Sequence, residues 1–562
     1  MNAIQSLFND QIYPQAAFLA RFLQPYYIDL KKQLSFQLLN SFETLDLLVL
    51  YTIFLILLFK IILPILHAIY SFSWRSAKSR CHRYLIRTLP YYRRKIDEEL
   101  KKTEKEVFTE LSKYVSNQTY KLPKNGFKLS TIQDRLATWL KRDEALVNSS
   151  KISGTKYIND PDYEDHLKEF IKDFFFHNPL HFDIFCGARQ MEAEILSMTG
   201  LLLGCDKDRI YGSTTSGGTE SNMMAIYTYR EWARETKNIT NPEIIVPNTA
   251  HASFYKAAHF YNVKIITLEV KEKTGKIDLA SLKKAITSNT ICIVGSMPNY
   301  PHGICDPIEE MAAIALKHKV GMHVDACLGG FLIVFAKENK IEIPKFDFTV
   351  PGVTSISIDH HKYGLANKGI SSVFYKTKEL RHFQYFSTIS WPGGIYVTAT
   401  APGSRSGAPI AGAWFAMTYN GLNKYKENAK KIYEATRKFR EKIEAIKALK
   451  VIGDPKICVV AFKSNQKNLN IYSVHEILSQ KGWNLNALNL PPCIHITITL
   501  ANEPSLNTLV QDIQGAIELV LNSPGKYKGG VMGTIYGTTK QVPDTHLADE
   551  FMKVVLDTSL KI

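Results

Sequence analysis

The stretch TICIVGSMPNYPHGICDPIEEMAAIALKHKVGMHVDA, residues Thr290–Ala326, decides the fold. It opens with a β-branched apolar run, Thr290–Ser296, and closes with a second apolar run, Val320–Ala326. Between them, the segment Pro307–Lys319 has proline in its first turn and basic residues at its end, which is typical of a helix. A strand, a helix and a second strand in this order predict a βαβ unit with parallel strands.

The same alternation extends from about Thr199 to Tyr375. Further short strands are predicted at Glu243–Asn248, Val263–Val270 and Ser355–Asp359. Their valine and isoleucine content and their turn-rich flanks are typical of a buried sheet. We therefore expect an α/β fold with a mostly parallel central sheet, and active-site residues at the carboxyl ends of its strands.

A segment rich in glycine and hydroxyl residues, YGSTTSGG (Tyr211–Gly218), precedes a predicted amphipathic helix that begins near Thr219. The free backbone N–H groups and the positive end of the helix dipole would make this an anion site. The segment lacks the lysine of a P-loop and the spacing of GxGxxG, so it gives little support to a nucleotide. Considered alone, an ordinary glycine turn capped by Ser216 or Thr219 explains it equally well.

Three further residues, His251, Asp325 and Lys362, lie at or just beyond the ends of predicted strands. Each has an ordinary explanation alone: a loop histidine, a capping aspartate and an exposed lysine. Together with the anion site they match pyridoxal 5′-phosphate (PLP), which needs a phosphate cradle, a flat group over its ring, a carboxylate at its pyridine nitrogen and a Schiff-base lysine. The residues therefore predict a PLP site, in which His361 is placed to reach the phosphate.

An apolar segment, Leu45–Tyr70, is long enough to span a bilayer as a helix. Its distance from the amino terminus and the lack of a small-residue cleavage site after it argue against a secretory signal. A buried core helix is the alternative, but the segment has no polar face. More basic residues follow the segment than precede it, so the positive-inside rule predicts a lumenal segment over residues 1–44 and a cytosolic body.

The net charge of +16 is unevenly distributed, because residues 71–130 contain 15 Lys and Arg against 6 Asp and Glu. Nucleic-acid binding is one explanation of such a block. Since the block follows the apolar segment directly, we favour a juxtamembrane role for residues 71–150 and expect no nucleic-acid partner. The eight cysteines form no CxxC pair, so we expect neither a metal site nor a disulfide framework, and the usage suits a reducing cytosol.

Most of the chain after Lys151 resembles the sphingosine-1-phosphate lyases, within the decarboxylase-like group of fold-type I PLP enzymes. The pieces TSGGTES (Thr215–Ser221) and D-x-H-K (Asp359–Lys362) are shared with amino-acid decarboxylases and indicate PLP use alone. NPLH (Asn178–His181), PHG (Pro301–Gly303) and HKYG followed by KG (His361–Gly369) are more specific to the lyases. Other matching stretches are SGTKY (Ser153–Tyr157), MEAEI (Met191–Ile195), HASFYKAA (His251–Ala258), HVDACLGGF (His323–Phe331), GSRSGAPIAGAW (Gly403–Trp414) and GWNLNAL (Gly482–Leu488).

The resemblance implies a fold-type I architecture with a smaller C-terminal α+β domain. It implies retro-aldol cleavage of sphingoid base 1-phosphates to a long-chain aldehyde and phosphoethanolamine. It implies a PLP-binding catalytic domain over residues 151–425 and a small domain over residues 426–562. It also implies a homodimer with shared active sites, held in the endoplasmic reticulum membrane by one helix over residues 45–70.

The resemblance also implies roles for single residues. Lys362 would carry PLP, Asp325 would hold its ring nitrogen, and His251 would stack on its ring. Tyr157 and Lys362 are both candidates for the group that takes the substrate's hydroxyl proton. The other implied positions are Gly218, Thr219 and His361 at the cofactor phosphate, Tyr157, Asn178, His181 and Lys368 at the substrate phosphate, and Ser404 as a cofactor-binding residue that, like Arg405, reaches the partner's site.

Two stretches depart from the family pattern. His360 replaces a threonine, and the segment Tyr396–Gly407 is less regular and has Ser406 where proline is common. These departures concern cofactor affinity and substrate range rather than the type of reaction. Two other functions stay open: a membrane-anchored PLP-dependent amino-acid decarboxylase, which would want a basic group near the substrate carboxylate, and a non-catalytic scaffold on a degenerate PLP fold.

Overall fold

The computed structural model of the chain describes residues 90–112, 119–523, 525–527 and 545–561. The predicted lumenal segment, 1–44, and the predicted membrane span, 45–70, lie outside these residues. Within the described ranges, no helix combines the length and the apolar character that a bilayer crossing needs.

The helices, in chain order, are α1 (Pro90–Ser112), α2 (Leu129–Val147), α3 (Pro161–Ile171), α4 (Cys186–Leu202), α5 (Gly218–Lys237), α6 (Ala252–Phe260), α7 (Leu279–Ala285), α8 (Ile308–His318), α9 (Gly330–Ile333), α10 (Lys378–His382), α11 (Ala408–Glu444), α12 (Ile471–Gln480), α13 (Leu506–Asn522) and α14 (Thr545–Lys561). Short 3₁₀ turns occupy Lys172–Phe174 and Glu503–Ser505.

The strands, in chain order, are β1 (Tyr211–Thr215), β2 (Glu243–Pro247), β3 (Lys264–Leu268), β4 (Thr290–Ser296), β5 (Gly321–Asp325), β6 (Ser355–Ile358), β7 (Ser371–Tyr375), β8 (Phe386–Thr388), β9 (Tyr396–Thr398), β10 (Leu449–Val451), β11 (Val459–Ser464), β12 (Asn486–Leu488) and β13 (Cys493–Thr497).

The central sheet has the strand order β1-β7-β6-β5-β4-β2-β3. All neighbouring pairs from β6 to β3 are parallel, whereas β7 runs antiparallel to both β6 and β1. The predicted mostly parallel α/β sheet is therefore confirmed. Ser296 and Ser357 lie beside Asp325 in the neighbouring strands, so the carboxyl ends of β4, β5 and β6 meet at one edge.

The stretch that predicts the βαβ unit forms it. Every residue of β4 and β5 is buried, as expected of strands covered on both faces. Helix α8 lies between them, with Glu309 and Glu310 in its first turn and Lys317 and His318 in its last, which complements the helix dipole. Lys319 ends the helix in the left-handed conformation, with φ of 55°.

Helix α11 follows the central sheet and is kinked at Gly421, whose φ of 60° and ψ of 176° are not helical. The chain then forms a four-stranded antiparallel sheet in the order β10-β11-β13-β12, together with α12 and α13. Buried side chains of the two sheets and of α11, such as Ile293, Ile494 and Phe439, belong to one hydrophobic cluster. The small sheet and the central sheet therefore share a core.

Helices α1 and α14 form a separate compact unit. Arg93 pairs with Glu550 at 3.4 Å, and Lys561 pairs with Glu104 at 2.7 Å. The two ion pairs have the same offset along the chain, so the helices run in the same direction. Helix α14 thus belongs to the same compact unit as α1. The domain boundaries predicted from the sequence stay predictions.

Candidate active site

Lys362 lies in the turn after β6, at the carboxyl edge of the central sheet. Its Nζ is 2.9 Å from Asp359 Oδ2, and it lines a cavity of about 390 Å³. Burial alone would lower the pKa of Lys362, but the charge of Asp359 outweighs burial and raises that pKa above its usual value. Burial would likewise raise the pKa of Asp359, but the charge of Lys362 holds it below its usual range.

Asp325 is the last residue of β5, the middle strand of the sheet. Its Oδ1 accepts a hydrogen bond from the Cys327 backbone N–H, and its Oδ2 accepts one from Asn222 Nδ2, both at 3.1 Å. The two N–H donors give each oxygen of this buried carboxylate a hydrogen-bond partner, without which its burial would be costly. Asp325 lines the same cavity, so it can supply the negative charge that a protonated pyridine nitrogen needs.

His251 reaches this cavity from the N-cap position of α6, four residues after β2 ends. Its Nδ1 accepts a hydrogen bond from the Ser253 backbone N–H at 3.2 Å and lies 2.9 Å from Ser253 Oγ. The ring of Tyr300 meets it edge-on, with 6.1 Å between the ring centroids. A histidine held in this way presents a flat face on which an aromatic cofactor can stack.

Helix α5 begins at Gly218, one residue before the predicted start at Thr219. The N–H groups of its first turn have no partner inside the helix, so they can bind a phosphate group. Gly218 has no room for a side chain, because an added Cβ would lie 2.7 Å from Asp359 Oδ1 and 2.9 Å from Cys327 Sγ. Thr219 is exposed at the cavity, and both residues line it.

His361 lines the same cavity. Its Nδ1 donates a hydrogen bond to the Ile370 carbonyl at 2.7 Å, and its Nε2 lies 3.7 Å from Asp359 Oδ2. An added Cβ on Gly217 would lie 3.6 Å from His361 Cε1, so the imidazole lies beside the amino end of α5. One cavity thus brings together the predicted lysine, carboxylate, stacking histidine and phosphate cradle, and these residues fit PLP.

Tyr157 and Lys368, two of the predicted substrate-phosphate residues, contact each other. Lys368 Nζ lies 4.9 Å from the centroid of the Tyr157 ring and donates to the His361 carbonyl at 3.3 Å. Although the Lys368 residue as a whole is exposed, burial of its ammonium group and the charge of Lys362 lower its pKa to about 8. Burial raises the pKa of Tyr157 above its usual value, so this phenol is neutral at physiological pH.

Asn178 and Ser404, two further predicted site residues, also contact each other. Asn178 Nδ2 donates to Ser404 Oγ at 3.1 Å, and its Oδ1 accepts the Arg405 backbone N–H at 3.3 Å. The Arg405 guanidinium pairs with Glu192 at 2.8 Å within the same chain. His181 is exposed one turn beyond Asn178. Arg405 lines a second cavity, of about 430 Å³.

Asn222 and Asp359 are site residues that received no role from the sequence. Asn222 lies in the first half of α5 and is buried against Asp325, although it is 103 residues away from it in the chain. The sequence did not distinguish Asn222, because other polar residues of α5, such as Ser221 and Thr228, are buried as well. Asp359 stands three residues before Lys362 in the D-x-H-K motif, a spacing that a single turn brings together.

The departure at His360 is a feature of the core. His360 is fully buried, its Nε2 lies 2.8 Å from Ser372 Oγ, and its ring meets that of Phe331 edge-on. Burial lowers the pKa of His360 to about 3, so the imidazole is neutral. It therefore supports the turn that carries Lys362 without adding charge to the cavity.

Comparisons with known proteins show the family to which the chain is related. Residues 177–465 match the family described as the pyridoxal-dependent decarboxylase conserved domain. The chain is 40% identical over 481 residues to the sphingosine-1-phosphate lyase of Arabidopsis thaliana, covering 84% of this chain and 87% of that protein. It is 40% identical over 490 residues to sphingosine-1-phosphate lyase 1 of Rattus norvegicus, covering 86% of this chain and 85% of that protein.

A solved structure of 32% identity gives the same family. The structure of a sphingosine-1-phosphate lyase from Burkholderia pseudomallei superposes with a TM-score of 0.69 at 32% identity, covering 76% of this chain and 97% of that chain. A glutamate decarboxylase from Lactobacillus brevis superposes with a TM-score of 0.62 at 20% identity, over 73% of this chain and 97% of that chain. The second likeness shows the shared fold alone.

Proposed function

Because the chain belongs to the sphingosine-1-phosphate lyase family, we propose that it cleaves sphingosine 1-phosphate and related sphingoid base 1-phosphates. The products are a long-chain aldehyde and phosphoethanolamine. The chain is a PLP-dependent carbon–carbon lyase. The observation that carries the proposal is the single cavity that Lys362, Asp325, His251 and the amino end of α5 line together.

Six residues of this cavity have a defined task toward the cofactor. When bound, PLP supplies an electron-accepting ring that stabilises the charge left when a bond to the amine-bearing carbon breaks. Lys362 provides the amine that holds the cofactor's aldehyde, and Asp325 keeps a proton on the ring nitrogen. His251 stacks on the ring, which excludes water from one face. Gly218, Thr219 and His361 hold the phosphate at the positive end of α5.

We propose Lys368 and Tyr157 as the groups that bind the substrate's phosphate. Both residues lie beside the turn that carries Lys362. Lys368 is a cation and forms a charge-assisted hydrogen bond to a phosphate oxygen, whereas the neutral phenol of Tyr157 forms an ordinary one. Because its phenol is neutral, Tyr157 is better suited to donate a proton than to accept one. Asn178 and His181 are the other proposed substrate-phosphate residues, and Ser404, which accepts a hydrogen bond from Asn178, is proposed to bind the cofactor.

A homodimer with shared active sites is part of the proposal. The hairpin β8–β9 and its neighbouring loop leave large apolar side chains in water, since Ile389 is 81% exposed and Ile395 is 80% exposed. Phe176, just before the Asn178 segment, is 95% exposed. A second copy of the chain covering these side chains would supply the apolar burial they lack. Light scattering of the detergent-solubilised chain should give a dimer, and Ile389→Glu should give monomers.

The membrane assignment rests on sequence alone. We propose that residues 45–70 cross the endoplasmic reticulum membrane once, with residues 1–44 lumenal and a cytosolic body made of the basic region 71–150, the catalytic domain 151–425 and the small domain 426–562. The excess of basic residues after the segment supports this direction. An anchor also suits a substrate that partitions into lipid.

The purified full chain, supplied with PLP, tests the reaction. Offered sphingosine 1-phosphate, dihydrosphingosine 1-phosphate and free amino acids, it should release aldehyde and phosphoethanolamine from the first two alone. Release of CO₂ from an amino acid, without aldehyde from the lipids, would favour the decarboxylase. A chain that shows no cofactor absorbance would favour the scaffold.

A further inference from the structure

The buried amide of Asn222 has a hydrogen-bond partner for each of its four positions. Its Nδ2 donates to Asp325 Oδ2 at 3.1 Å and to Ser253 Oγ at 2.9 Å. Its Oδ1 accepts from Ser357 Oγ at 2.7 Å and from His323 Nε2 at 3.2 Å. Because a carboxylate only accepts hydrogen bonds, the atom that faces Asp325 must be the NH₂ group. The amide therefore has one possible orientation.

This orientation fixes the next hydrogen bond in the chain. Ser253 Oγ accepts from Asn222, so its single hydroxyl proton is available for His251 Nδ1, which is 2.9 Å away. His251 Nδ1 also accepts the Ser253 backbone N–H. A nitrogen that accepts two hydrogen bonds carries no proton, so His251 holds its proton at Nε2. The ring plane and the tautomer of His251 are thus set from Asn222 through Ser253.

The opposite side of the amide is held by a neutral histidine. Burial lowers the pKa of His323 to about 4, so it is uncharged and donates through Nε2 to Asn222. Its Nδ1 accepts from Ser355 Oγ at 2.7 Å, and Ser355 Oγ in turn lies 2.6 Å from Tyr229 OH. All of these groups are buried, and a buried network with satisfied partners is rigid.

We infer that Asn222 is a positioning residue that orients both Asp325 and, through Ser253, His251. One amide thereby fixes the carboxylate at the cofactor's ring nitrogen and the imidazole that stacks on the ring. The donated hydrogen bond holds the Asp325 carboxylate in one orientation, in which it can accept a hydrogen bond from a protonated ring nitrogen. The inference rests on the proposed function, because it requires PLP in this cavity.

The test is the nitrogen-15 NMR signal of the ring nitrogen of ¹⁵N-labelled PLP bound to the full chain, together with the Kd for PLP. Asn222→Leu keeps the branched shape and removes every hydrogen bond. It should move the ring signal toward that of neutral pyridine and weaken PLP binding at least tenfold. If Asn222→Leu does not fold, Asn222→Ala serves the same measurement.

Two further variants separate positioning from a general loss of structure. Ser253→Ala removes the link to His251 and leaves the hydrogen bond between Asn222 and Asp325 in place, so it should weaken PLP binding severalfold without moving the ring signal. Tyr433→Phe removes a buried hydroxyl outside this network, which donates to the Leu332 carbonyl, and should change neither quantity. A folded, PLP-bound Asn222 variant with the wild-type ring signal would overturn the inference. A wild-type chain that binds no PLP would instead overturn the proposed function.

Discussion

Lys362 and Asp359, three residues apart, form an ion pair with 2.9 Å between Nζ and Oδ2 beside the cofactor cavity. The pair raises the pKa of the lysine against the effect of its burial. Only the neutral amine attacks an aldehyde, so the pair keeps the lysine oriented but unreactive until a proton leaves. Asp359 therefore affects how fast the Lys362 amine binds PLP. This binding is a separate step from the later reaction of the bound cofactor with the substrate.

In protein freed of cofactor, Asp359→Asn should speed the capture of PLP at pH 7. Without the carboxylate, burial lowers the pKa of Lys362, and each pKa unit increases the neutral fraction about tenfold. The growth of cofactor absorbance after stopped-flow mixing measures the rate. Raising the pH should speed capture by the wild type more than by the variant. A slower variant would show that Asp359 serves chiefly to place the lysine.

Lys362→Ala should abolish cofactor absorbance and turnover together, because no other amine lines the cavity at that position among the described residues. Lys368→Ala should keep the absorbance and lose turnover of the phosphorylated substrate. A charge-assisted hydrogen bond contributes about 1.5–3 kcal/mol, which corresponds to a roughly tenfold to hundredfold loss in rate. Lys317→Ala, an exposed lysine at the end of α8, is the matched control. Bleaching by Lys368→Ala would contradict the substrate-phosphate assignment.

The pH dependence of kcat/KM should report Lys368. Its pKa of about 8 lies below the usual lysine value, so the side chain is cationic below pH 8 and neutral above it. The phosphate contact is therefore present at neutral pH and lost as the pH rises through about 8, which should raise KM. Lys368→Arg keeps its charge across this range and should remove that limb of the profile. If kcat/KM of Lys368→Arg still falls as the pH rises through about 8, the titration belongs to another group.

Gly218→Ala should weaken PLP binding by more than tenfold, since its Cβ would meet Asp359 and Cys327 at less than 3.0 Å. Gly187→Ala, in the first turn of α4, meets nothing within 4 Å and should leave the Kd for PLP unchanged. Fluorescence titration with PLP and the Tm of both variants measure the effect. Equal Kd values for the two variants would show that the turn can shift to accept a methyl group.

Protease added to sealed microsomes should digest the body of the chain and spare a small N-terminal fragment. The reason is the basic excess after residue 70, which retains that side in the cytosol. Immunoblotting with tags at the two ends reads the result, with detergent-opened microsomes as the control. Protection of the whole body would reverse the proposed orientation.

The sequence by itself determined the features that depend on local pattern. The spacing of apolar residues predicted the parallel strands around α8, and the motifs around Gly218, His251, Asp325 and Lys362 predicted PLP. These features are readable because strand ends, helix starts and motif residues lie within a few positions of each other along the chain.

Only the tertiary structure decided which distant side chains meet. Asn222 reaches Asp325 across 103 residues because the first half of α5 packs behind the end of β5, and no periodicity records that contact. The contacts of Tyr157 with Lys368, and of Asn178 with Ser404, likewise join residues that lie far apart in the chain. Folding brings the carboxyl ends of strands to one edge, but the packing of each helix selects the polar groups that lie behind them.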